Sequence, residues 1–151
     1  MSVVREGDNL LKLKVALKEL DDQKASVGWY ESAHYPGGTP VAYVASIHEF
    51  GAPGAGIPPR PFMRPAMAQY GPAWMVALGD GVKSVLRGGM SATQLLEAVT
   101  ARAAGDVAKS IQAVTAPALK PATIRRKGFA KPLVDTGQMV QSVTNRVGPD
   151  A

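Results

Sequence analysis

The sequence predicts an α+β protein: a small antiparallel or mixed sheet packed against two to three helices, with an extended loop rich in proline and glycine. Three observations predict it. Residues 91–114 carry an apolar residue every three to four positions, the period of a helix with one buried face. Lys24–Glu31 and Ser142–Val147 are short and contain the β-branched and aromatic residues that suit a half-buried strand. Between them, residues 51–61 hold Gly51, Gly54 and Gly56 with Pro53, Pro58, Pro59 and Pro61, a density that excludes a regular helix or a central strand.

Taken in order, a helix is expected from Asn9 to Asp22, capped by Asp8, with Leu10, Leu13, Leu17 and Leu20 on one stripe. The same leucines and lysines also alternate by twos around residues 11–15, but length and the Lys/Glu content favour the helix. The strand at Lys24–Glu31 follows, with Val27 and Trp29 on one face. Tyr35–Pro40 forms a turn. Val41–Phe50 is expected as a short helix, with Val41, Val44, Ile47 and Phe50 spaced by three and Gly51 ending it. Pro58-Pro59 favours an extended polyproline path whose backbone groups stay free for partners. A helix then runs from Pro65 to Arg87, with Pro72 at a break or a new first turn. Ser91-Ala92-Thr93-Gln94 has the spacing of a capping box and opens the clearest helix, with Leu95, Val99, Ala103, Val107, Ile111 and Val114 as its buried stripe. Thr115–Pro121 is a proline-bounded linker and Thr123–Lys127 a single helical turn. Asp135-Thr136-Gly137 is a turn introducing a short helix, Gln138–Gln141. The whole of 1–151 is expected to form a single domain, including the extended loop 51–65 and the basic segment 115–131.

Composition points to a thin core. Of the 151 residues, 23 are alanine and only nine are aromatic, eight of these lying between Trp29 and Trp74. Alanine-rich helices pack closely but remove little apolar surface per contact, so neighbouring subunits are expected to complete the burial. The absence of cysteine excludes disulfides, thiolate metal ligands and cysteine nucleophiles and fits assembly in a reducing cytoplasm. The first residues lack the apolar centre of a signal peptide, and no run approaches membrane-spanning length, so no membrane partner is expected. The net charge of +5 is concentrated. No acid occurs between Asp106 and Asp135, whereas Lys109, Lys120, Arg125, Arg126, Lys127 and Lys131 all do. Such a block suits phosphate, an acidic protein surface or plain solvent.

The residues offer little for catalysis. His48-Glu49 begins like a zinc-hydrolase motif, but Ala52 stands where the second histidine ligand belongs. No pair of carboxylates has the spacing of a general acid and base. No serine sits on a nucleophile elbow, and neither Gly37-Gly38 nor Gly88-Gly89 leads into a phosphate loop. No catalytic, metal-binding or cofactor-binding set is therefore expected, and no enzyme. A helix-turn-helix, a zinc finger and an aromatic platform near the basic block are all missing, which leaves only non-specific contact with DNA.

Two segments are distinctive when taken together. The first is Val44-Ala45-Ser46-Ile47-His48-Glu49-Phe50-Gly51-Ala52, followed by Ile57-Pro58-Pro59-Arg60-Pro61-Phe62-Met63-Arg64-Pro65-Ala66. The second is Pro132-Leu133-Val134-Asp135-Thr136-Gly137-Gln138-Met139, with Ser142 and Val143 after it and Thr123-Ile124-Arg125-Arg126-Lys127-Gly128 before it. This order resembles the neck, tail-completion and head–tail joining proteins of tailed bacteriophages, with their "hxEFG…IPxRPFLRPA" and "PLVDTGxLxxS" stretches. Met63 and Met139 stand where leucine is common, and residues 53–56 lengthen the first loop. The resemblance implies a small α+β subunit of the virion, made in the host cytoplasm and placed at the head–tail junction. Its partners would be further copies in a hexameric or dodecameric ring, portal-side or head-closure proteins, tail-tube or terminator proteins, and genomic DNA in passing. On that reading Ile57, Pro58, Pro59, Arg60, Phe62 and Arg64 would contact a neighbouring subunit, with Phe62 anchored between two guanidiniums. Packing of Phe62 within its own subunit is the simpler alternative. Lys120, Arg125, Arg126, Lys127 and Lys131 would face the DNA channel or an acidic partner. The rival reading is a non-specific DNA-binding accessory protein of phage assembly.

Overall fold

The computed structural model describes residues 3–133 and 137–151, with side chains from residue 9 onward. The fold is α+β: helices dominate and a two-stranded antiparallel sheet joins distant parts of the chain. The elements are α1 (Val3–Asp21), β1 (Lys24–Gly28), α2 (Val41–Phe50), a 3-10 turn (Pro53–Ala55), α3 (Met63–Leu86), α4 (Ala92–Ala113), α5 (Pro121–Lys127), α6 (Gln138–Ser142) and β2 (Thr144–Gly148). They group into two compact bodies, each assembled from separate stretches of sequence. One comprises the chain up to Val27, Pro72–Ala103 and Asn145–Ala151; the other comprises Gly28–Gly71 and Ala104–Thr144. Both long helices, α3 and α4, contribute residues to each body.

In the first body, α4 begins as its sequence dictates. The Ser91 hydroxyl accepts the Gln94 N–H at 3.1 Å, and the Gln94 side-chain oxygen accepts the Ser91 N–H at 2.9 Å. Two donors that a helix start would otherwise leave open are thus satisfied reciprocally. Val85, Ala92, Leu95 and Ala103 form the buried apolar set. Gly81 on α3 faces Leu95, whose side chain occupies the space a Cβ would need. β2 is tied to α4 by Asn145, whose side-chain amide donates to the Thr100 hydroxyl at 3.0 Å.

The helix α1 departs from the expected packing. It begins at Val3, so Asp8 lies inside it and is no cap. Its leucine stripe is not sunk into a core: Leu10, Leu13 and Leu17 are exposed, while among the described side chains of α1 only Ala16 and Leu20 are half-buried. The helical period is sound, but this body offers α1 only a narrow seat along the Ala16–Leu20 edge.

In the second body, the apolar interior is Val41, Ala45, Phe62, Ala66, Ala104, Val107, Ile111, Leu133 and Met139. Here α2 packs against α6. The buried face of α2 runs Val41, Ala45, Glu49, spaced by four, and not along the expected row spaced by three. Phe50, the last member of that row, is 68% exposed. A 3.6-residue period brings i and i+4 closer to one line than a strict three-residue row, and a carboxylate completes the buried line for the reason given below. The six α4 positions read as its stripe are all buried or half-buried, from Leu95 to Val114.

Three boundaries also moved. α3 runs unbroken through Pro72 where a break was allowed for. β1 stops at Gly28, so Trp29 leaves the strand and turns its indole into the second body. Among the described residues the sheet has two strands and no further ones. The turn assigned to Asp135-Thr136 lies outside the described residues. Replacing Ser91 with alanine is expected to lower stability by about 1 kcal/mol, measured by urea unfolding, because one arm of the capping box is lost.

Candidate functional site

The first sequence motif folds around one carboxylate. Glu49, at the end of α2, is only 5% exposed and lies at the N-terminus of α3. Its Oε2 accepts the N–H groups of Phe62 (2.8 Å) and Met63 (2.9 Å), and its Oε1 accepts the N–H of Arg64 at 3.2 Å. These are donors that no earlier turn of α3 can satisfy, and the positive end of the helix dipole favours an anion there. Arg64 closes the arrangement. Its Nε donates to Glu49 Oε1 at 2.8 Å and its Nη2 to the Glu49 carbonyl at 3.0 Å. The Arg64 guanidinium also lies 5.5 Å from the Phe50 ring centre. One acid thereby caps a helix thirteen residues further along the chain, the separation recorded for its bond to Phe62.

Burial alone pushes the Glu49 carboxyl up, but the bonds from Phe62, the Arg64 side chain, Met63 and the Arg64 backbone outweigh it and hold the group below the ordinary value of 4.5. The acid is ionised and fully engaged, which suits a structural tie and leaves it no proton to trade.

The loop between the two halves of the motif is folded back on itself. Ala52 and Ile57 exchange backbone hydrogen bonds at 2.9 and 3.1 Å, closing a small loop around the 3-10 turn. Gly51 has φ of 76°, and a Cβ there would lie 2.9 Å from both the Ile57 oxygen and the Pro59 nitrogen. Glycine is thus required by conformation and by space. The Arg60 N–H donates to the His48 carbonyl at 2.7 Å. The N–H and carbonyl groups of Ala52 and Ile57 and the N–H of Arg60, on either side of Pro58-Pro59, are consequently engaged within the chain.

The residues read as subunit contacts divide in two. Phe62 is 1% exposed and meets Trp29 edge to face, ring centres 5.6 Å apart. The Phe62 carbonyl accepts the Ser110 hydroxyl of α4 at 2.6 Å, and the Trp29 indole N–H donates to the Met139 carbonyl at 2.8 Å. Phe62 therefore sits where both sequence motifs and α4 converge. Arg60 is 6% exposed and donates from Nε to the Pro117 carbonyl (2.8 Å) and from Nη2 to the Ala118 carbonyl (3.1 Å). It pins the loop to the α4–α5 linker. Arg64 and Pro59 are exposed; Ile57 and Pro58 are half-buried.

The basic residues gather on and around α5, which Pro121 opens and Gly128, with φ of 81°, closes. Lys120, Arg125, Arg126 and Lys131 are exposed. Lys127 is half-buried, its ammonium 4.8 Å from the Phe129 ring centre and 3.2 Å from the Lys131 carbonyl. Beside them lies His48, whose buried Nδ1 makes no hydrogen bond among the described residues. Desolvation first, then the charges of Arg60 and Lys127, hold the His48 ring below the ordinary value of 6.5.

His48 and Glu49 are adjacent in sequence, where they resemble only the start of a zinc-hydrolase motif, yet they face different tasks. No local signal marks Glu49 as a cap, because its helix starts beyond a proline-rich loop. Comparison of the chain with protein-family models, curated proteins and solved structures finds no match. No group of three His, Asp or Glu among the described residues is arranged to hold a metal, and no described helix is long and apolar enough to cross a membrane.

Glu49→Gln is expected to destabilise the protein by roughly 2–4 kcal/mol in denaturant unfolding, since three backbone donors and a guanidinium lose their anionic partner. The folded carboxyl titrates below 4.5, so its contribution is complete above that pH and is lost as pH falls through the folded value. The wild-type unfolding midpoint should therefore fall in acid more steeply than that of Glu49→Gln. His48 acts at a higher pH with the same sign: its folded pKa lies below 6.5, so stability is full above 6.5 and declines as the pH drops from there toward the folded value. That decline should flatten in His48→Gln.

Proposed function

We propose that this chain is a structural subunit of a tailed-phage particle, forming a ring of like copies at the head–tail junction and connecting portal-side to tail-side proteins around the DNA path. Its contribution is geometric: it presents surfaces and performs no reaction. The order of the two sequence motifs supports the family, and the framework built from them gives the motif residues a reason to be there.

The observation that carries the reading is apolar surface left uncovered. On α1, Leu10 is 54% exposed, Leu11 62%, Val15 51% and Leu17 50%. Together these leave on the order of 400 Å² of aliphatic surface in water, divided between two strips, which is more than singly scattered residues leave. On an ideal helix they form two strips, Leu10–Leu17 and Leu11–Val15, on either side of Lys14 and Lys18. The second body exposes Tyr43, Phe50 and Met67 as well. We assign the α1 strips to a second copy of this chain, because alanine-rich helices give each copy a thin core that burial of such strips against a neighbour would supplement.

The rival reading, a DNA-binding accessory protein, draws on the exposed Arg125 and Arg126 of α5. It calls for tight, steeply salt-dependent binding of the isolated chain to duplex of any sequence.

Native mass spectrometry and negative-stain imaging of the purified chain test the proposal. Closed rings are expected for the wild type, and Leu11→Glu with Leu17→Glu should yield smaller species of unchanged helical content. A wild-type monomer at all concentrations, or rings indifferent to both substitutions, would contradict the assignment of α1.

A further inference from the structure

A groove of about 270 Å³ opens on the second body between α2 and the start of α3. Trp29, Phe50, Phe62 and Met63 are among its apolar walls. Three polar side chains also line it. The Ser46 hydroxyl donates to the Tyr43 carbonyl at 2.7 Å, Glu49 is held by the start of α3, and Arg64 keeps 62% of its side chain in solvent. Phe50 is more than half exposed, as are Tyr43 on α2 and Met67, one turn after Met63 on α3. We infer that this groove receives the leucine strip of α1 from the next copy. The inference rests on the ring proposed above and names the second face that such a ring requires.

Closure gives the first reason. A surface that pairs with its own twin stops at two copies, whereas a ring of more than two needs one face given and a different face received. The strip of α1 is the first face. Leu10, Leu13 and Leu17 stand at i, i+3 and i+7, the anchor spacing of an amphipathic helix lying in an apolar groove. The second reason is the make-up of the groove. Trp and Arg are the side chains that dominate binding energy at protein contacts, and Phe50 adds an aromatic ring stacked by the Arg64 guanidinium. Charge gives the third. Asp21 is exposed and lies one turn beyond Leu17 on the same strip. Arg64 spends Nε and Nη2 on Glu49, which leaves Nη1 for an incoming carboxylate such as that of Asp21.

A mixing experiment tests the docking, read by native mass spectrometry on the full chain. The first variant, Leu10→Glu with Leu17→Glu, spoils the strip and keeps the groove. The second, Ala42→Arg with Phe50→Ala, spoils the groove and keeps the strip; both positions are exposed, so the fold is retained. Each variant alone should need at least about tenfold more protein to associate than the wild type, the loss that removal of one strong anchor produces. Their equimolar mixture should form dimers and stop there, since only one intact strip meets one intact groove. The chain has no cysteine, so single cysteines can report the contact directly. Lys14→Cys protein mixed with Ser46→Cys protein should give the mixed disulfide in preference to either homodimer. A groove variant that assembles like the wild type overturns the inference and leaves the groove to a different protein. A mixture that remains monomeric overturns it too, as does preferential Lys14→Cys homodimer, the mark of α1 pairing with α1. Closed rings that survive Ala42→Arg with Phe50→Ala would overturn the groove alone. Strip-to-groove docking that builds open filaments would overturn the ring alone, and a wild type that stays monomeric would overturn both.

Discussion

The buried carboxylate of Glu49 is the constraint on which the second body depends. A helix that starts after a proline-rich loop has no preceding turn to satisfy its first N–H groups, and here the end of another helix supplies the acceptor. That one tie fixes the direction in which α3 leaves α2. Arg64 then locks the carboxylate from outside, and the loop between has to close in a tight space that only glycine at position 51 permits. Phe62, carried on the same stretch, is driven against Trp29 and beneath Ser110. The EFG and RPFMRPA stretches are therefore one device, with the acid in the first and its donors in the second.

This arrangement separates framework from surface. Residues that look like contact anchors by type, an aromatic between two arginines, are divided between the two: Phe62 and Arg60 are turned inward and Arg64 outward. The groups left at the surface are of a different kind. They are the aliphatic strips of α1, the aromatic and methionine side chains on the outer side of α2 and early α3, and the cations of α5. A chain whose helices are rich in alanine reaches a stable interior only where such tight polar ties supplement the limited apolar burial.

Much of the fold was legible in the sequence because it follows from local rules. The period of α4, its Ser91–Gln94 capping box and the range of α2 all follow from side-chain spacing within a few residues. What was not legible depends on contacts between distant residues. Nothing local distinguishes a leucine stripe seated in a core from one left open, and most of the α1 stripe is open. Nothing local says that Glu49 caps a helix across a loop, that Arg60 reaches the carbonyls of Pro117 and Ala118, or that Trp29 leaves its strand for Met139. The groove beside Phe50 is likewise invisible in sequence, since its walls come from residues far apart along the chain.

The central claim is that the motif residues hold each copy together while α1 holds the copies to one another. A cryo-electron microscopy reconstruction of the assembled protein tests it most directly. The account requires Leu11 and Leu17 to lie covered by a neighbouring copy, with Glu49 bonded to Phe62 and Met63 of its own chain. An assembly in which the 51–62 loop inserts into the adjacent copy while α1 remains bare would contradict it.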